Sequence, residues 1–134
     1  MEIKLDTDTI RMIHLFESFT RLSVKDCLIF DDSVYFLLDE NQKVDNNGLL
    51  KMLENIMKKR IIIFSYTPNL LEFLRSSIKN AREIKVRNEK DKKIVEITVD
   101  AIYKSKVIGK NGRNINALRK ILKRNYEVDE VVVK

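Results

Sequence analysis

The spacing of apolar residues along the chain predicts an alternation of helices and strands. Met12, Leu15, Phe16 and Phe19 recur at intervals of three and four residues, which is typical of one buried helix face. Runs of β-branched and aromatic residues between polar turns indicate strands instead. We therefore expect helices over 7–20, 49–59, 68–80, 101–106 and 113–124, and strands over 24–29, 34–38, 60–64, 84–87, 94–99 and 128–133.

The two halves of the chain carry the same order of elements. Residues 1–66 and 67–134 each give helix, two strands, two helices and a strand, so an internal repeat of roughly 65 residues organises the chain. In the first half the polar segment 39–48 predicts a loop, with at most a short helical turn. Thr67 and Pro68 predict the N-cap and first position of the helix that opens the second half. The expected fold class is α+β, with two tandem domains that each cover a three-stranded mixed sheet with helices.

Charge is distributed unevenly between the halves. Residues 1–67 contain 9 Lys and Arg against 11 Asp and Glu, a net charge of −2, whereas residues 68–134 contain 17 against 9, a net charge of +8. An asymmetry of this size indicates that the second half faces a polyanion and the first half does not.

The residue inventory argues against catalysis, cofactors and membranes. His14 is the only histidine and Cys27 the only cysteine, so neither a metal-ligand set nor a nucleophile–base pair can be assembled from them. No apolar run approaches the ~18 residues of a membrane span, and the start of the chain does not resemble a signal peptide. We expect a cytoplasmic protein that is not an enzyme and needs no cofactor.

The most informative motif is Gly109-Lys110-Asn111-Gly112, here called the clamp loop, which contains two of the three glycines of the chain. It precedes a basic amphipathic helix, and helix N-termini favour anions. A Gly-x-x-Gly loop between two helices resembles the signature of KH domains, in which this loop holds the backbone of about four single-stranded nucleotides. The alternative is a helix–helix turn in which the glycines serve packing alone.

The KH resemblance implies a set of RNA-contacting positions around the clamp loop. Lys110 supplies charge to phosphate, Arg113 and Asn114 lie in the first helical turn, and Ile115 floors an apolar groove unless it is a plain core residue. The expected RNA-binding residues are Lys104, Lys106, Ile108, Gly109, Lys110, Asn111, Gly112, Arg113, Asn114 and Ile115. The order of elements in both halves suggests two tandem type II KH domains, 1–66 and 67–134.

Over almost its whole length the sequence resembles the archaeal NusA-like transcription factors, which are compact proteins of two KH domains. The resemblance is carried by Ile3-Lys4-Leu5 through Asp26-Cys27-Leu28-Ile29 and by Gly109 to Asn116. It implies single-stranded RNA binding in transcription termination or antitermination, beside RNA polymerase or its elongation complex, by a protein for which a monomer is favoured. Two alternatives share the same motifs: a ribosome-assembly or rRNA-binding KH protein, and a KH-fold protein–protein adapter of the polymerase.

The first half departs from the family pattern. Where a first Gly-x-x-Gly loop is expected, Asp45 and Asn46 precede Asn47 and Gly48, so the first glycine is absent. An acid at this position repels phosphate at short range. The hypothesis is that the first domain lacks a phosphate clamp and serves as a scaffold or protein contact, and that glycine and lysine at positions 45 and 46 restore affinity.

Overall fold

The computed structural model describes residues 6–134, so the predicted family match at Ile3-Lys4-Leu5 lies outside the described residues. The described chain forms two compact units: the first unit ends at Pro68 and the second unit spans Asn69–Lys134. Within the described chain, no helix is both long enough and apolar enough to cross a membrane.

The described residues contain five α-helices, six β-strands and one 3₁₀ turn. The helices are α1 (Thr7–Thr20), α2 (Asn47–Met57), α3 (Leu70–Ser77), α4 (Ala101–Ile108) and α5 (Arg113–Tyr126), with a 3₁₀ turn over Lys110–Gly112. The strands are β1 (Val24–Ile29), β2 (Ser33–Leu38), β3 (Arg60–Ser65), β4 (Ala81–Glu89), β5 (Lys92–Val99) and β6 (Glu130–Val133).

The first unit is a three-stranded mixed sheet with helices packed on it. Its strand order is β1-β2-β3, with β1 antiparallel and β3 parallel to the central β2. All six residues of β2 are buried, and the hydrophobic core is centred on Phe16 and Phe36, whose rings stack at 4.3 Å. The predicted strands 24–29 and 34–38 are confirmed as β1 and β2, which pair as an antiparallel hairpin around Asp31 and Asp32.

The predicted helix 49–59 is confirmed as α2, but the repeated order of two helices between the second and third strands is wrong for the first half, since no helix lies between β2 and α2. The segment 39–46 is instead held to the sheet by polar contacts. The Ser23 backbone N–H donates to Gln42 Oε1 at 2.6 Å, and the Asp39 N–H donates to the Ser23 carbonyl at 3.0 Å. Only Val44 of this segment packs against the core, so it offers no apolar stripe that would stabilise a helix. The first unit therefore runs α-β-β-α-β.

The second unit follows the predicted order α-β-β-α-α-β. Its strand order is β4-β5-β6, again antiparallel then parallel around a central strand. The β4–β5 hairpin is longer than the predicted strands 84–87 and 94–99. Its turn has only two residues, because Lys90 and Asp91 both adopt left-handed backbone conformations. Helix α3 begins later than predicted: Asn69 rather than Thr67 caps it, accepting a hydrogen bond from the Glu72 N–H at 3.0 Å.

Candidate nucleic-acid interface

Gly109 is required by the close packing of the clamp loop on helix α5. Its φ is 79° and its ψ is 170°, a conformation that L side chains rarely adopt. A β-carbon at this position would lie 2.8 Å from the backbone nitrogen of Asn114 and 2.9 Å from its Cβ. The loop can therefore lie flat against the first turn of α5 only with glycine at position 109.

The rest of the loop turns through two left-handed residues. Asn111 has φ 56° and ψ 29°, and Gly112 has φ 72° and ψ 15°. Asparagine tolerates this region better than other non-glycine residues, so the Asn-Gly pair suits the turn. The Gly112 N–H donates to the Gly109 carbonyl at 3.0 Å, which closes the loop into a compact turn.

Helix α5 begins without a side-chain cap, unlike three other helices of the protein. Asp6, Asn46 and Asn69 cap α1, α2 and α3 through hydrogen bonds to backbone N–H groups. At α5 the N-cap residue is Gly112, which has no side chain to accept such a bond. The positive end of the helix dipole therefore opens directly onto the clamp loop, an arrangement that suits an anion.

Helix α4 is fixed to α5 just behind the loop. The Asn114 side-chain amide donates to the Lys106 carbonyl at 3.1 Å, which ties the end of α4 to the first turn of α5. Every residue of α4 is at least partly exposed, and Ile102 is 77% exposed. The loop is thus held in position while its outer surface is open to solvent.

The predicted RNA-binding residues divide into three groups by exposure. Exposed side chains are Lys104, Lys106, Lys110 and Asn111, and half-buried residues are Ile108, Gly109, Gly112, Arg113 and Asn114. Ile115 is 5% exposed, so it is a core residue of the second unit, which agrees with the alternative stated for it. The structure therefore exposes the basic side chains near the loop and places Ile115 in the core.

A groove between α5 and β6 extends this surface and was not predicted from the sequence. It has a volume of about 410 Å³ and is lined by Arg119, Lys120 and Lys123 on the helix and by residues 128–132 on the strand side. These cations follow Gly112 and Asn116 at helical spacings, at positions 112, 116, 119, 120 and 123, and so form one stripe that starts at the loop. That spacing is the signal from which the groove-lining cations could have been found.

The wall of the groove opposite α5 is the free edge of β6. The Lys134 N–H donates to the Ile97 carbonyl, so the even-numbered residues of β6 face β5 and the peptide groups of Val131 and Val133 face away from it. At this free edge the Arg119 Nη2 donates to the Val131 carbonyl at 3.3 Å, while its Nη1 donates to Asn116 Oδ1 at 3.4 Å. Arg119 thus links the helix stripe to the strand edge.

The two tyrosines near the loop have different environments. Tyr126 is 7% exposed and its ring centroid lies 4.8 Å from that of Phe73, so it belongs to the core. Tyr103 on α4 is 37% exposed. In residues 6–134 no group of three or more His, Cys, Asp or Glu side chains is placed to hold a metal ion.

Comparisons with known proteins agree with this architecture. Residues 69–130, which contain the clamp loop and the α5–β6 groove, match the family described as KhpA/KhpB, KH domain. The chain is 26% identical to the "Probable transcription termination protein NusA" of Thermoplasma acidophilum, over 99% of this chain and 96% of that protein. It is also 26% identical to the protein of the same name from Halococcus morrhuae, over 98% of each chain.

The chain resembles archaeal NusA-like KH proteins. The crystal structure of APE1850 extends the resemblance to the fold, with a TM-score of 0.75, 25% identity, and coverage of 97% of this chain and 100% of that one. The family resemblance predicted from the sequence is therefore confirmed. The NusA-like relatives match both units, whereas the KH family match falls on the second unit.

Proposed function

We propose that this NusA-like chain is a non-catalytic RNA-binding transcription factor, in which the second unit binds single-stranded RNA during termination or antitermination. In this proposal the chain consists of two tandem type II KH domains, 1–66 and 67–134, works beside RNA polymerase or its elongation complex, and uses no cofactor. The observation that carries it is the clamp loop at a helix N-terminus without a side-chain cap, followed along the same helix by the cations that line the α5–β6 groove.

The clamp loop is suited to the sugar–phosphate backbone. Gly109 and Gly112 keep side chains off the loop surface, so a phosphate can approach the backbone closely. Lys110 adds an exposed positive charge and the N-terminus of α5 adds its dipole, both of which favour a phosphate at the loop. The loop contacts carry no base information, so they position RNA of any sequence.

The α5–β6 groove is suited to the nucleotides that follow. Lys120 and Lys123 supply charge along the helix side, and the free edge of β6 offers backbone hydrogen-bonding groups on the opposite side. Few phosphate contacts and one exposed tyrosine near the loop predict weak binding, micromolar in order, that weakens further with salt.

The first unit is proposed as a KH-like scaffold or protein contact without a clamp. It has the same strand order and the same register as the second unit, but the segment before α2 forms no helix and its Asn46 side chain caps α2 at the Leu49 N–H, 3.1 Å away. Because no helix precedes this segment to form the other side of a clamp, glycine and lysine at 45 and 46 are not expected to restore RNA affinity.

The test is a titration of a labelled single-stranded RNA pool with wild type and with the double variant Lys110→Asp/Asn111→Asp, at about 50 and 200 mM salt. Both substitutions leave the two glycines in place, and aspartate tolerates the left-handed conformation at position 111. We expect at least a tenfold loss of affinity and a flatter salt dependence.

The chain offers a matched control in Lys79→Asp/Asn80→Asp, which alters an identical Lys-Asn pair in the turn after α3 by the same charge. Its affinity should stay within threefold of wild type. Equal binding by wild type and the loop variant would refute the proposed clamp. Recovery of pre-rRNA rather than RNA polymerase with the tagged protein would favour a role in ribosome assembly over transcription.

A further inference from the structure

We propose that the first unit binds an acidic amphipathic helix of a protein partner, on an apolar stripe that helix α2 leaves exposed. The stripe, here called the α2 stripe, consists of Gly48, Met52 and Ile56. This inference rests on the proposed role of the first unit as a protein contact, and it gives that contact a surface and a partner chemistry. It does not depend on RNA binding by the second unit.

The α2 stripe is apolar and open to solvent. Its residues are spaced by four, so they follow one another along one side of α2. Met52 is 41% exposed and Ile56 is 47% exposed, although Leu53 of the same helix is fully buried in the core. A β-carbon at Gly48 would meet only Asn46 Oδ1, at 3.2 Å. A second helix can therefore approach this side of α2 closely.

The matched side of α5 in the second unit is buried. The two helices can be aligned on their left-handed C-cap residues, Lys58 for α2 and Glu127 for α5. Six residues before the cap lies Met52 in the first unit and Ile121 in the second. Ile121 is only 1% exposed. The same helix side is thus part of the core in the second unit and open to solvent in the first.

The second unit has a helix on this side of α5 that the first unit lacks. Asn114 and Ile121 are seven residues apart, so they lie on the same side of α5. The Asn114 side chain donates to the Lys106 carbonyl near the end of α4, and α4 packs beside α5. In the first unit no helix lies between β2 and α2. A helix supplied by a partner would take the place beside α2 that the chain itself leaves uncovered.

The charges of α2 favour an acidic partner. Lys51 and Lys58 are exposed and form no ion pair with any of residues 6–134. Glu54, the one acid of α2, lies on the side of the helix away from the stripe, where it accepts from the Ile61 N–H. Asp45 lies before the first residue of α2 and so beyond the end of the stripe. The lysines would attract an acidic helix, whereas a second copy of this chain would bring its own lysines against them.

The experiment uses the full chain and two synthetic helical peptides of about 18 residues. The peptides share one leucine stripe and carry either glutamate or lysine at the polar positions, and binding is measured by fluorescence anisotropy. We expect wild type to bind the glutamate peptide at least about tenfold more tightly than the lysine peptide. Met52→Gln/Ile56→Gln changes two exposed side chains, so it should fold, lose about tenfold in affinity for the glutamate peptide and keep its RNA affinity.

Two further variants test charge and position. Lys51→Glu/Lys58→Glu should reverse the preference between the peptides, and glutamate is compatible with the left-handed cap because Glu127 occupies the matched position. The control is Ile102→Gln, which removes an isoleucine that is 77% exposed on α4 of the second unit. Its affinity for the glutamate peptide should stay within about twofold of wild type, as expected for a residue outside the interface.

The outcomes separate this inference from the proposed function. Equal binding of the two peptides, or binding that Met52→Gln/Ile56→Gln leaves unchanged, would overturn it. A wild-type dimer in analytical ultracentrifugation that the same variant dissociates would also overturn it, because a second copy would then cover the stripe. If neither peptide binds while Lys110→Asp/Asn111→Asp still weakens RNA binding, the inference fails and the RNA clamp stands.

Discussion

Each unit contains a helix followed by a parallel edge strand, but the side chains beside that strand differ. In the first unit an acidic side chain hydrogen-bonds to the strand edge, whereas in the second unit basic side chains line a groove beside it. In each unit a helix ends in a left-handed residue, Lys58 for α2 and Glu127 for α5, and a parallel edge strand follows. Four residues before that cap lies Glu54 in the first unit and Lys123 in the second. Glu54 Oε2 accepts from the Ile61 N–H at 2.9 Å, whereas Lys123 lines the α5–β6 groove.

The comparison shows how one framework supports two surface chemistries. Ile61 and Val131 occupy the same place in their sheets, because each is the second residue of its strand and pairs with Val34 or Val95 of the central strand. In the first unit the outward N–H at that place is satisfied by the protein's own carboxylate. In the second unit Arg119 donates a hydrogen bond to the outward Val131 carbonyl, and Lys123 takes the helix position that Glu54 has in the first unit. At one matched helix position, an acid therefore accepts from the strand edge in the first unit, whereas a lysine lines the groove in the second.

The largest expected effect comes from Gly109→Ala in the second unit. The new β-carbon would meet the Asn114 backbone at 2.8 Å in a left-handed conformation, so the loop must move away from α5. We expect a loss of about 2–3 kcal/mol in the free energy of unfolding, measured by urea titration, and at least a tenfold loss of RNA affinity.

The control for that prediction is Gly48→Ala in the first unit. Gly48 has an ordinary backbone conformation and its β-carbon would meet only Asn46 Oδ1, at 3.2 Å. The change in stability should lie within about 0.5 kcal/mol, because the gain in helix propensity offsets the push on the cap, and RNA affinity should not change. Equal destabilisation by the two variants would contradict the special role of the clamp loop.

A second prediction concerns the matched positions Glu54 and Lys123, for which we expect opposite patterns: loss of Glu54 lowers stability, and loss of Lys123 changes RNA binding. Glu54→Ala leaves the half-buried Ile61 N–H without its charged acceptor, so we expect a loss of about 1.5 kcal/mol in stability and unchanged RNA binding. Lys123→Ala should change stability by less than about 0.5 kcal/mol but reduce the slope of log affinity against log salt by about one. Weaker RNA binding by Glu54→Ala would mean that the first unit also contacts RNA.

Much of the fold could be predicted from the sequence because the signals are local. Apolar spacing and β-rich runs locate all eleven helices and strands described, and the glycine pair marks the loop. The errors arise where local signals compete or are absent. Thr67-Pro68 and Asn69 both offer caps, and Asn69 is used, while the polar segment 39–46 is fixed by contacts with Ser23, which is distant in sequence. Sequence spacing places Arg119, Lys120 and Lys123 on one helix stripe, but it does not reveal that this stripe meets the edge of β6 to form a groove.

A third prediction tests whether a clamp can be transplanted into the first unit. The variant Asp45→Gly/Asn46→Lys removes the side chain that caps α2 at the Leu49 N–H, so it should lower the free energy of unfolding by about 1 kcal/mol. It should not gain RNA affinity, since no helix precedes this segment to form the other side of a clamp. A gain of threefold or more over wild type in the RNA titration would contradict this account and support the original hypothesis from the sequence.

The smallest expected effect concerns a matched position on the central strands of the two sheets. Tyr35 in the first unit and Glu96 in the second hold matching positions on the central strands, paired with Ile62 and Val132 respectively. Tyr35 is buried, whereas Glu96 forms ion pairs with Arg87 at 3.0 Å and Lys134 at 3.4 Å.

Although burial acts to raise the pKa of Glu96, Lys134 and Arg87 outweigh it and hold this pKa below its usual value. A lowered pKa adds stability above the ordinary glutamate pKa of about 4.3, and this stability is lost as the pH falls through the lowered value. Thermal unfolding followed by circular dichroism should therefore show wild type more stable than Glu96→Gln at pH 7, with the difference disappearing below about pH 4. A difference that stayed constant from pH 7 to pH 3 would show that packing, and not charge, accounts for the contribution of Glu96.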